Sequence, residues 1–185
     1  MRRIAGMCVL CVSLAVTSVI AMATEPSQRI ALPGVPPAPE TPPTAADEQA
    51  VRDATLRFLE LLDRSDFDAV RAMMMSFNTM YATPESRESR ANFNKDEAGE
   101  PVRTIQRITW YDNVEGAPDG RYAVVHVRGT YAGEGFYCGS VTWLRQADGT
   151  FLAARNSISV MASKYAHKMR ESERVAARAQ IACIE

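Results

Sequence analysis

Val102-Arg103-Thr104-Ile105-Gln106-Arg107-Ile108-Thr109-Trp110-Tyr111 is where the chain changes period. Upstream, apolar residues recur at helical spacing. Here they begin to alternate, with β-branched and aromatic residues concentrated, which predicts a strand over 102–111. An Asp-Asn-Gly-Pro-rich turn cluster follows at 112–120. The alternation then resumes from Tyr122 to Tyr131, rich in Val and aromatics. Phe136 to Gln146 and Phe151 to Met161 flank Asp148-Gly149, a pair that supplies the positive φ a tight hairpin turn needs. Four consecutive strands joined by short connections read as an antiparallel meander.

Working back toward the N-terminus, Val51, Ala54, Phe58, Leu59 and Leu62 lie on one helical face. Ser65-Asp66 reads as the cap of a second helix, with Phe67, Val70, Met73, Met74, Phe77 and Met80 on its buried side. Thr83-Pro84-Glu85 opens a third, with Thr as N-cap, Pro in the first turn and an acid at the positive end of the dipole. Its body, Ser86 to Glu97, is very polar, and Gly99-Glu100-Pro101 ends it. Beyond the strands, Lys164 to Ile181 reads as a closing helix. Helices first and an antiparallel meander after them mean an α+β domain, with N-terminal helices packed on a four-stranded sheet. Its expected span is 47–185.

The first 46 residues have another character. Met1-Arg2-Arg3 and the apolar stretch Met7 to Ile20 lead to Ala21-Met22-Ala23, the small-x-small pattern of a cleaved export signal. A signal peptide over 1–23 is therefore expected, with Thr24 as the mature start and a periplasmic or secreted protein as the result. The apolar core is shorter than a bilayer span and carries hydroxyls, so no integral membrane span remains after cleavage. Residues 24–46 hold seven of the ten prolines and read as an extended tether.

The chain carries 21 basic and 22 acidic side chains; without Arg2 and Arg3 the balance is 19 against 22, a net of −3. A mildly acidic chain lacks the broad basic footprint that nucleic acid calls for.

The strand region carries, in order, the motifs Thr109-Trp110-Tyr111, Pro118-Asp119-Gly120-Arg121-Tyr122-Ala123, Tyr137-Cys138-Gly139 and Asp148-Gly149-Thr150-Phe151 with Arg155. In that order they resemble a bacterial exported family known as a domain of unknown function, the 4019 family. The similarity runs over roughly 50–161. In that family acidic residues follow the arginine, whereas Asn156-Ser157 stands here. The order of elements is also similar to the cystatin-like and nuclear-transport-factor-two-like superfamily, which holds small hydrolases, isomerases and non-catalytic binding modules. The resemblance implies a fold and a compartment and no activity.

Cys138 and Cys183 alone survive removal of the signal. In an oxidising compartment they are expected to pair, closing a loop of about 45 residues worth roughly 4 kcal/mol on the chain-entropy model. The rival reading makes Cys138 a nucleophile with His126 as base, which a cystine forbids. Strict alternation puts Arg103, Arg107 and Thr109 on one side of the first strand and Tyr122, His126 and Arg128 on one side of the second, with Arg155 from the fourth. This face is the candidate ligand site, since Arg forks suit carboxylate or phosphate and their field favours neutral His126. A solvated sheet face explains the same residues without any ligand. Met73-Met74-Met75 with Met80 could hold Cu(I), or simply fill the core. His167 stands alone on a polar helix, so no zinc set is formed, and no cofactor motif occurs.

The expectation is a non-catalytic exported accessory or binding protein of the cell envelope, whose partner is another envelope protein or a small anionic ligand. Two alternatives stand beside it. One is a small periplasmic hydrolase or isomerase with His126 and Tyr122 as acid–base groups in a sheet–helix pocket. The other is a structural subunit of an envelope complex.

Overall fold

The computed structural model describes residues 39–181 apart from residue 98. The expected signal, most of the tether and Cys183 lie outside the described residues. The elements in order are α1 (Ala45–Asp63), α2 (Phe67–Ala72), α3 (Pro84–Asp96), β1 (Val102–Asp112), β2 (Arg121–Thr130), β3 (Phe136–Arg145), β4 (Phe151–Met161), α4 (Ser163–Ala166) and α5 (Glu171–Gln180). The strands form one antiparallel sheet in the order β1-β2-β3-β4. This is an α+β architecture.

Local chemistry accounts for most boundaries. Thr44 and Asp47 form a capping box that starts α1. Asp66 accepts from the Ala69 amide to start α2, and Thr83 accepts from the Ser86 amide with Pro84 in the first turn of α3. The β3–β4 turn closes on Gly149 at φ +86°, a conformation glycine adopts at little cost.

One face of the sheet packs against α1. Val51, Phe58 and Leu62 are at most 2 % exposed and share a cluster with Val125, Val141 and Trp143. Phe58 meets Trp143 edge to face at 5.7 Å. Burying a side chain of this size contributes about 1.5–3 kcal/mol. A second, smaller cluster joins Phe136 to Ala166 of α4 and Ala177 of α5.

Four features depart from the periodicity of the sequence, one of them a bulge at Ala154 of β4 that sets Arg155 opposite Thr142. The second helix stops at Ala72 rather than running to Met80. The chain leaves it to pair with β4 instead: the Met75 amide donates to the Ala153 carbonyl (3.0 Å) and the Ala153 amide to the Met73 carbonyl (2.8 Å). An edge strand offers such unpaired groups, and this segment takes them. Met74 is buried, whereas Phe77 is 52 % and Met80 36 % exposed, so the methionines do not form one helical stripe. Met75 and Met80 sulfurs accept separately from Gln146 and Asn156, so they do not converge on a copper position.

The closing helix is also split. Glu173 reaches back to the Arg170 amide at 2.8 Å and starts a new helix there, while Met169 packs into the second cluster. Finally, β1 carries a bulge between Ile105 and Arg107, with the largest consequences for the candidate site.

Candidate functional site

The bulge divides the arginines. Before it, Arg103 pairs with Gly129 on the face that meets the helices; after it, Arg107 pairs with His126 on the opposite, outer face. One extra residue in a period-2 element turns every later side chain over. Strict alternation therefore misplaces Arg103. Its guanidinium is buried beneath α1, where it hydrogen-bonds the Asp63 carboxylate, whose other oxygen takes Arg90 at 2.9 Å.

Of the six arginine, tyrosine and histidine candidates, Arg107, Tyr122, His126, Arg128 and Arg155 do share the outer face. They are spread along it. The register places Arg107, His126, Ser140 and Ser157 in one row across the sheet, and Thr109, Val124, Thr142 and Arg155 in the next. Arg107 and Arg155 stand on the two outermost strands and in adjacent rows, about 16 Å apart on the diagonal of three strand spacings and one two-residue step. They make a positive field, not one fork.

The outer face holds a cleft of about 540 Å³. Tyr111, Tyr122, Val124, Thr142 and Arg155 form its floor; the β1–β2 loop (114–118) and Phe77 form its sides. Asn113, at φ +49°, shapes that loop: its amide donates to the Gly120 carbonyl and its side-chain oxygen accepts from the Gly120 amide. The Tyr122 hydroxyl donates to the Pro118 carbonyl at 2.5 Å and pins the loop over the sheet. Burial, and then the nearby Asp119 carboxylate, push the Tyr122 phenol above its ordinary range. Tyr122 thus holds a wall in place. Arg155 is the one charged residue lining the cleft, is exposed, and makes no ion pair among the described residues.

His126 lines neither this cleft nor the inner cavity described below. Its ring nitrogen Nε2 lies 3.5 Å from Arg107 Nη2. Partial burial, then the Arg107 charge, hold its pKa below the usual histidine value. Tyr122 is four residues away along β2, about 13 Å at the rise of a strand. The two cannot pass a proton between them, and the acid–base pair of the hydrolase reading is not assembled.

Cys138 is buried on the outer face, opposite Arg128 and Ser159. The pairing with Cys183 falls outside the described residues. Among the described residues no three His, Cys, Asp or Glu side chains gather as a metal would require, and no helix is long and apolar enough to cross a membrane.

Sequence reasoning missed a second cavity, of about 190 Å³, between the sheet and the helices. Leu59, Leu62 and Asp63 of α1, Arg90 of α3, and Tyr137, Asn156 and Ile158 of the sheet line it, with Met80 and Tyr81. The signal available was Asp63, an acid directly after the apolar Leu61-Leu62, though nothing local identifies its partners.

The family described as "Protein of unknown function (DUF4019)" matches residues 54–155, more than half of the 185-residue chain. The chain belongs to this family. No curated protein and no solved structure matches it. The matched span runs from the buried face of α1 to Arg155, so it takes in both the floor of the outer cleft and most of the inner cavity.

Proposed function

We propose that this protein is an exported, non-catalytic binding protein of the bacterial cell envelope, with a cystatin-like fold. Its outer sheet face receives a small anionic ligand carrying an apolar or aromatic portion. The observation that carries the reading is the unmatched charge beside an aromatic cleft. Arg107, Arg128 and Arg155 make no ion pair among the described residues, and Arg155 lies among Tyr111, Tyr122 and Phe77. A guanidinium at the edge of an apolar cleft takes a carboxylate, while the walls take what is attached to it.

The test uses 4-phenylbutyrate and its uncharged alcohol in titration calorimetry. The acid should bind, more weakly as salt rises, and Arg155→Gln should weaken it roughly tenfold, the scale of one charge-assisted hydrogen bond. Equal binding of the alcohol, or no effect of Arg155→Gln, would refute the reading.

The export pattern of residues 1–23 supports periplasmic or secreted location, and the survival of Cys138 and Cys183 alone after removal of the signal supports a bridge between them. One intact mass examines both. Protein recovered from outside the cytoplasm should weigh as the chain from Thr24 less two hydrogens. A retained Met1, or two alkylatable thiols, would sink the corresponding half.

A further inference from the structure

The inner cavity differs from the outer cleft in what its walls leave unanswered. Three of its lining side chains hold a buried polar atom without a hydrogen-bond partner: Arg90 Nε, the Tyr137 hydroxyl and Asn156 Oδ1. Tyr137 is 4 % exposed and Asn156 9 %. Buried polar groups are nearly always paired, so three around one space point to an occupant.

Each of the three is held where it is. Both Asp63 oxygens are occupied, one by Arg90 Nη2 and one by Arg103 Nη2, which leaves Arg90 Nε–H as a spare donor. The Tyr137 ring lies flat across Gly129, where an added Cβ would meet it at 2.1 Å, and it neighbours Tyr131 at 6.0 Å. Burial, opposed by the neighbouring Arg103 and Arg90 guanidiniums, raises its phenol pKa above the ordinary value, so the hydroxyl keeps its proton. Arg103 donates toward its oxygen, and its own O–H remains to be placed. Asn156 Nδ2 donates to the Met80 sulfur at 3.4 Å, which leaves the buried amide oxygen as the unanswered acceptor. Two guanidiniums share the single Asp63 carboxylate, so an anion is favoured. Glu97, the other buried acid of this region, does not line the cavity and has both oxygens taken by Ser163. Leu59, Leu62 and Ile158 supply apolar wall.

We propose that this cavity binds a small 2-hydroxy carboxylate. The carboxylate accepts from Arg90 Nε–H and the Tyr137 hydroxyl, the 2-hydroxyl donates to Asn156 Oδ1, and the carbon tail lies on Leu59, Leu62 and Ile158. Water takes about 30 Å³ of liquid volume per molecule, so about 190 Å³ is room for several heavy atoms. Met80, which lines the cavity, is itself 36 % exposed.

Titration of the purified protein with lactate, 2-hydroxyisocaproate and lactamide tests this. The hydroxy acids should bind, the longer one more tightly, and lactamide should bind at least about tenfold more weakly for want of charge. Tyr137→Phe keeps the ring and removes only the hydroxyl; it should weaken the acids about tenfold. Should Tyr137→Phe fail to fold, Asn156→Asp sets a second carboxylate against the ligand and should abolish binding. The proposal is overturned if neither hydroxy acid binds or if lactamide matches lactate. It is also overturned if Arg155→Gln removes binding that the cavity variant retains, which would place the acid in the outer cleft.

Discussion

The two faces of the sheet treat the same residue type in opposite ways. On the helix side, Arg90 and Arg103 share Asp63, and Arg145 reaches Asp47 at 2.8 Å. On the outer side, Arg107, Arg128 and Arg155 face no carboxylate partner among the described residues. Burial explains the Asp63 cluster, because a guanidinium withdrawn from water needs a counter-charge, while Arg145, 40 % exposed in its side chain, pairs with Asp47 at the surface. Solvent explains why the outer pattern is permitted without explaining why it is present. Charge that the fold requires is matched; charge that it does not require is left for something else to meet.

Removing the counter-charge on the buried side should be the sharpest way to break this contrast. Asp63→Ala strands two guanidiniums that are 15 % and 14 % exposed in their side chains, and should cost about 3–5 kcal/mol in chemical denaturation. A loss under about 1 kcal/mol would mean that water, and not Asp63, satisfies them.

The outer face should respond far less. Arg107→Gln should change stability by no more than about 0.5 kcal/mol at neutral pH. It should also raise the His126 titration midpoint, followed by NMR, because the Arg107 charge is one of the two causes that lower it. The linkage has a definite sign. With its folded pKa below the unfolded value of about 6.5, His126 takes up a proton more readily when the chain unfolds. Its contribution is complete above about pH 6.5 and is lost as pH falls through the folded value. Arg107→Gln should make that acid-side loss smaller, and an unchanged midpoint would show that partial burial alone sets it.

What could be read from the sequence follows from how local each signal is. Thr83-Pro84 and Asp148-Gly149 act within four residues, and the elements they bound are where the pattern placed them. The four strands agree within one residue at their ends. The bulge at Gln106 has no such local mark. Neither has the departure of Met73–Met75 from helix to sheet edge, which depends on Ala153 nearly eighty residues away. The outer cleft was half legible: Tyr122 alternates onto it, but Arg155 reaches it only through a bulge at Ala154, and the 114–118 wall and Phe77 arrive from elsewhere. The inner cavity was invisible, since Asp63, Arg90 and Tyr137 meet only after the helices close on the sheet.

The lashing of Met73–Met75 to Ala153 bears on how copies of this chain meet one another. A four-stranded open sheet has two free borders, and each can recruit the border of a neighbouring molecule into a growing ribbon. Along the first part of β4 that invitation is withdrawn, because the donor and acceptor of Ala153 already serve the chain's own backbone. A segment whose sequence suggests core filler or copper thus occupies part of the fourth strand's free edge with its own backbone.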